Sequence, residues 1–276
     1  MQRIEIALLG LLLSLAGAAL AAEPVAEAKK PDAKGPLASL PSAPGAHIEK
    51  LRALGDDSWL DLGKPAPDPK WGMGHGLSYL PNLAWAPDLK CAFIVGTGTH
   101  GGTHKYADGT TRWENGLWAY DLPAHRWVCV YPGLDIDKGG FKPDPKGGTL
   151  VDDGHPMIGS HGYQHFAYDP TAGKFFHLSH SENTDYFPKR MKEEWYKAGK
   201  GGNRCGPFSY DPRTDEWKQL HPAGPAFHSK GGNHVHYSPK LKRTILVDPG
   251  ALWELDSEKE VWIEHKAQNT AKDGYC

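Results

Sequence analysis

The chain has little cysteine, almost no net charge and a single long apolar run, and each scarcity removes a class of protein. Four cysteines (Cys91, Cys129, Cys205 and Cys276) are spread over 276 residues, too few for a disulfide-held scaffold. Cys91 and Cys129 fall on strands expected two apart in one sheet, a separation no disulfide spans. Buried thiols are therefore expected. With 31 basic and 33 acidic side chains the formal net charge is −2. Such a balance gives no field of the kind that grips nucleic acid or anionic lipid, so no nucleic-acid partner is expected. The one long apolar run is Ile6 to Ala22. It is short for a membrane span and ends in the small residues Ala19-Leu20-Ala21-Ala22. Residues 1–21 therefore read as a cleaved signal peptide, which implies a secreted or periplasmic protein with no stable membrane insertion once the signal is removed. No phosphate-binding glycine loop, Gly-x-Ser-x-Gly, Cys-x-x-Cys or His-Glu-x-x-His motif occurs, so no ready-made catalytic centre is announced.

Aromatic and turn residues are plentiful, with 10 Trp, 11 Tyr, 33 Gly and 23 Pro. That mixture suits an all-β fold with frequent chain reversals. Residues 22–56 are Ala, Pro, Lys and Glu without hydrophobic period and read as a flexible tether.

Self-similarity begins after the tether. Three segments share a strand ending in Asp, a short turn, and a Trp six residues beyond the Asp. They run Leu117-Trp118-Ala119-Tyr120-Asp121 to Trp127, Pro207-Phe208-Ser209-Tyr210-Asp211 to Trp217, and Leu252-Trp253-Glu254-Leu255-Asp256 to Trp262. The Asp positions stand 90 and then 45 residues apart, a module length typical of propeller blades. Each segment is preceded by another hairpin with Pro, Asp or Gly in its turn: Leu83 to Val95, Phe166 to Leu178, and Val235 to Val247. Two hairpins make a four-stranded meander, the unit of a propeller.

The run Phe93-Ile94-Val95-Gly96-Thr97-Gly98, then Gly101-Gly102, then Asn115-Gly116-Leu117-Trp118-Ala119-Tyr120-Asp121 and Trp127, resembles a kelch repeat of the galactose oxidase-like propellers. The resemblance implies a kelch-like β-propeller over residues 57–276, with blades at about 77–133, 161–222 and 232–266. In the repeat, Asp121, Asp211 and Asp256 are expected to turn their carboxylates onto backbone N–H groups of their own turns. Trp127, Trp217 and Trp262 are expected to pack between blades, because repeated positions in stacked units form the core.

Trp59-Leu60-Asp61-Leu62-Gly63-Lys64-Pro65-Ala66-Pro67 is similar to Trp217-Lys218-Gln219-Leu220-His221-Pro222-Ala223-Gly224-Pro225, so the N-terminal copy reads as a lone outer strand. The chain stops at Asp273-Gly274-Tyr275-Cys276, where the second copy reads His161-Gly162-Tyr163 just before its first strand. Three blades and a spare strand fall short of the roughly four to eight blades of closed propellers. The expectation is an incomplete propeller, a truncated version of a longer protein, or an open array completed by a second chain. Two insertions, Tyr131 to Ser160 and Ser181 to Arg204, are long enough to carry function, and Pro188 to Ala198 reads as a short helix.

Aligning the first strands on Pro87, Pro170 and Pro239 brings Asn82, Gln164 and Asn233 together, with His165, His234 and His236 nearby. Because a blade's first strand lines the central channel, these residues are the candidate ligand site at one channel mouth. The competing role for them is to satisfy backbone groups between blades. His100, His104 and His161 are candidate metal ligands, although their spacing matches no known ligand pattern. Asp135-Ile136-Asp137-Lys138-Gly139-Gly140 lacks the later ligands of a calcium loop and reads as a turn. The sequence thus points to an exported binding module for a protein or carbohydrate ligand, with no cofactor required. The alternative implied by the resemblance is a carbohydrate-active or copper oxidase-like enzyme, or a fragment of one. No copper ligand set matches position by position.

Overall fold

A computed structural model describes residues 33–74, 82–95, 102–146, 149–155, 164–178, 187–199, 207–224, 234–248 and 251–266. The expected signal peptide, Cys205, Cys276, His100, His161 and Asn233 lie outside them. No helix among the described residues is long and apolar enough to cross a membrane.

The fold is all-β, with three four-stranded antiparallel sheets. Sheet one takes β1 (Ala84–Ala86), β2 (Cys91–Val95), β5 (Leu117–Asp121) and β6 (Arg126–Tyr131) in that order, with the hairpin β3 (Thr103–Lys105) and β4 (Thr111–Trp113) inserted between its second and third strands. A second hairpin, β7 (Phe141–Pro143) and β8 (Thr149–Val151), leads to sheet two. Sheet two takes β9 (Phe166–Asp169), β10 (Lys174–His177), β11 (Phe208–Asp211) and β12 (Glu216–Gln219), interrupted by helix α2 (Lys189–Gly199). Sheet three takes β13 (His234–Ser238), β14 (Arg243–Asp248), β15 (Ala251–Asp256) and β16 (Val261–Lys266). Cys91 and Cys129 are buried and free, with β5 between their strands.

Turn chemistry repeats with the sheets. The fourth residue after each motif Asp is left-handed: His125 (φ 50°), Asp215 (φ 61°) and Glu260 (φ 50°). Asp211 accepts the N–H of Arg213 at 2.9 Å, and Asp256 accepts those of Glu258 and Lys259 at 3.2 and 3.0 Å. These bonds hold the chain in the sharp reversal that a left-handed residue completes. The turn between first and second strands has its own left-handed position, filled by Lys90, Gly173 and Lys242. Only Gly173 takes that backbone without a Cβ penalty.

The sheets stack face to face in series. Each has a front face, carrying the row that ends in the motif Trp, and a back face. The front row of sheet two is Tyr168–Phe175–Tyr210–Trp217, one residue per strand. It packs on the back of sheet one, around Phe93, Ala84 and Ala86. Sheet three repeats the relation: Val235, Leu246, Leu255 and Trp262 of its front meet Ala167, Phe176 and Leu178 of the sheet-two back. Adjacent first strands touch, and Val235 N–H donates to the Gln164 carbonyl at 2.7 Å. The three insertions build a core of their own, where Trp113, Leu134, Val151, Phe187, Met191 and Trp195 surround Phe208.

Two expectations about the N-terminal region are corrected. From residue 33 onward the segment read as a tether is docked, because Leu37 and Leu40 are fully buried at the junction of sheets one and two. A 3-10 turn (Gly35–Leu37) and helix α1 (His47–Arg52) shape it. Backbone bonds tie it to both sheets, Lys34 N–H to the Pro212 carbonyl and Gly45 N–H to the Pro123 carbonyl, each 2.8 Å. Composition hid this because two leucines in a Pro- and Ala-rich stretch carry no periodic signal. The lone outer strand over 59–67 is also not formed. It pairs through one isolated parallel bridge, Ala66 to Arg126, and its Leu62 carbonyl meets His125 Nε2 at 3.0 Å. The similar segment makes the same bridge one sheet later, Ala223 to Val261.

Candidate functional site

A groove of about 340 Å³ runs across the three first strands. Leu83, Trp85 and Pro87 come from β1 and its flanks, Tyr168 and Pro170 from β9 and its turn, and His236 and Tyr237 from β13. Pro87 and Pro170, which follow the first strands of sheets one and two, add apolar rings to its wall. Leu83 and Trp85 are 54% and 45% exposed, large values for apolar groups in a concave surface. The polar groups are few. The Tyr237 hydroxyl shares a hydrogen bond of 2.7 Å with Thr171 Oγ1, and the Tyr168 hydroxyl donates to Asp88 Oδ2 at 2.7 Å. Burial and the Asp88 carboxylate hold the Tyr168 phenol protonated, far above its ordinary range.

His236 stacks on His234, with ring centroids 6.1 Å apart and planes 13° from parallel. The groove wall strips water from the His236 ring, and His234 adds a smaller repulsion. Both effects hold His236 below the usual histidine value of 6.5. Because the fold disfavours the imidazolium, stability is lost on acidification: the loss begins near the unfolded value and is complete below the folded midpoint. An NMR titration should give His236 a midpoint below 6.5, and His234→Ala should move it part of the way back. An unshifted His236 would contradict this environment.

Of the sequence-derived candidates, His236 lines that groove. Asn82 Nδ2 donates to the Phe166 carbonyl at 3.2 Å, so this amide spans sheets one and two and satisfies backbone. Gln164 accepts through its backbone carbonyl. His165 is 1% exposed, with its ring 6.5 Å from that of His177. His234 and His236 are on the back face of sheet three. His104 lies on β3 with its ring edge-on to Tyr106 at 5.0 Å. Among the described residues no three of His, Cys, Asp or Glu converge as a metal-holding set.

The alignment that joined Asn82 to Gln164 was displaced by one residue. Asn82 is five residues before Pro87, whereas Gln164 is six before Pro170. A one-residue slip exchanges the faces of a strand. By position before the proline, Leu83 and Trp85 correspond to Phe166 and Tyr168 and to Val235 and Tyr237. Trp85 and Tyr237 were the groove residues missed, and counting back from the prolines would have found them.

No family model matches the chain, and no curated protein matches it. Solved structures do match in part. One is described as the structure of YjhT, with a TM-score of 0.36 and 14% identity over 70% of this chain and 52% of that one. Another is an auxiliary nutrient binding protein from Bacteroides thetaiotaomicron VPI-5482, with a TM-score of 0.27 and 14% identity over 80% of this chain and 48% of that one. The chain spans about half the length of each.

Proposed function

We propose that the chain is an exported binding module of kelch-like propeller type, with the three sheets as blades and a carbohydrate held in the groove along their first strands. The observation that carries this is the half-exposed Trp85 indole in a concave, mostly apolar surface that Tyr237 and His236 also line. Ligand sites are typically concave and apolar with a few polar groups that set orientation. An indole offers a flat apolar platform for the C–H face of a sugar ring, while a phenol and an imidazole can bond its hydroxyls.

A glycan array followed by titration of intrinsic tryptophan fluorescence tests the reading. Binding should appear for a subset of oligosaccharides, and Trp85→Ala should weaken it at least about tenfold, the effect of losing one aromatic anchor. An array without hits removes the carbohydrate. Stoichiometric copper in the purified protein, lost on His165→Ala or His234→Ala, would replace the binding module with the oxidase-like alternative.

A further inference from the structure

The junctions between sheets one and two and between sheets two and three share one hydrogen bond, and its two copies differ in chemistry. In each, a tyrosine two residues before a first-strand proline reaches back to the residue just after the preceding sheet's proline. Tyr168 donates to Asp88 Oδ2 at 2.7 Å, and the Tyr237 hydroxyl meets Thr171 Oγ1 at 2.7 Å. Asp88 follows Pro87 and Thr171 follows Pro170, and both prolines and both tyrosines line the groove. At the first junction the acceptor is a carboxylate. The phenol proton is spent on it, no second proton remains in the pair, and Tyr168 is 3% exposed. At the second junction two hydroxyls bring two protons and use one between them, so a donor and spare lone pairs remain. Thr171 is exposed and Tyr237 is half-buried.

A buried network holds this second pair in place. Asp169 Oδ1 accepts the N–H groups of Thr171 and Ala172, each at 2.9 Å, which fixes the turn that carries Thr171. Asp169 Oδ2 accepts from Thr244 Oγ1 of sheet three at 3.1 Å. Asp169 and Thr244 are both buried, and Thr244 is the partner of Tyr237 in the register of β13 and β14. Carboxylate, turn, hydroxyl pair and strand partner thus close a loop across the junction of sheets two and three. Polar groups fixed before binding lose little freedom when they bind, so their hydrogen bonds count nearly in full toward affinity.

We propose that the Thr171–Tyr237 hydroxyl pair sets the specificity of the groove, by giving a proton to and taking one from a hydroxyl of a neutral saccharide. This role rests on the carbohydrate reading of the groove and adds Thr171, beside the lining residue Pro170, to the residues that touch the sugar. A sugar hydroxyl is donor and acceptor at once and completes the pair. An ether oxygen can only accept, and a C–H group does neither. Among the described lining residues none is Lys or Arg. An acidic sugar therefore finds no counter-charge there for the water it gives up, and neutral sugars are favoured.

The probe is the neutral oligosaccharide with the strongest array signal, titrated by tryptophan fluorescence against hydroxyl-deletion variants. Thr171→Val keeps the shape and the backbone N–H that Asp169 holds, and should weaken binding about tenfold, the worth of one hydrogen bond. Tyr237→Phe should do the same. The double variant should be little weaker than either, because the two hydroxyls act as one unit. Thr171→Ser should bind like the parent. Among singly O-methylated forms of the probe, one should bind the parent about tenfold more weakly yet bind Thr171→Val no worse than the unmodified probe does. Denaturant midpoints check that each variant is folded. Unchanged binding by folded Thr171→Val, or additive effects of the two substitutions, overturns the pair's role and leaves the carbohydrate reading standing. Hits confined to acidic glycans also overturn it, and an array without hits removes both readings together.

Discussion

Phe93→Ala is expected to lower the stability of the protein by about 4 kcal/mol, the usual cost of emptying a fully buried aromatic position. Phe93 is central to β2, is fully buried, and points from the back of sheet one into sheet two. Its ring centroid lies 5.5 Å from Phe175, 5.8 Å from Tyr168 and 6.4 Å from Tyr210. Those rings come from three strands of the neighbouring sheet, and all are fixed by the register, so little collapse into the vacated space is available. The measurement is the denaturant midpoint, at unchanged slope. Phe93→Leu, which keeps most of the volume, should recover more than half of the loss. A loss under about 1 kcal/mol for the alanine variant would mean that sheets one and two do not pack as described.

Asp121→Ala is the second large effect, expected at about 3 kcal/mol. The Asp121 carboxylate is fully buried and ion-paired to Arg126 Nε at 2.9 Å. Ser42 Oγ also donates to it at 2.5 Å, from the docked N-terminal segment. Removing the carboxylate leaves a guanidinium whose side chain is only 31% exposed without its counter-charge. It also frees the N-terminal segment from sheet one, since Arg126 holds Ser39 and Ser42 at 3.2 and 3.1 Å. Two readouts follow: the unfolding midpoint, and the rate of proteolysis between residues 33 and 53, which should rise in Asp121→Ala. The equivalent change Asp211→Ala should cost less, because Asp211 pairs with Arg213 and Lys174, which are more exposed. Equal effects at the two positions would show that the turn alone, and not the buried pair, sets the value of the motif.

Legibility in the sequence divided along the range of the interactions. The three Asp-to-Trp hairpins were readable because each is closed by a carboxylate bonding its own turn within a few residues and by a left-handed position at a constant offset. The helix at 189–199 was readable for a similar reason, and its Met191 and Trp195 fall on one buried face. The docking of Leu37 and Leu40 was not. Nothing local marks them, and their burial depends on Pro212 and Pro123, which are distant in the chain. The groove was legible only in His236, for a different reason. Amides and histidines stand out in a list of residue types, but an amide such as Asn82 was needed by the backbone of the next sheet.

The sequence by itself determined the all-β class, the three-fold repeat and the order of strands within each sheet, because alternation, turn residues and hairpin length are short-range properties. Only the tertiary structure decided which face of each sheet is covered. The rows of Trp85, Tyr168 and Tyr237 occupy equivalent positions, and what separates exposed Trp85 from buried Tyr168 is that sheet one packs on Tyr168, whereas among the described residues no sheet packs on Trp85. Burial is a relation between elements, so no residue carries it alone.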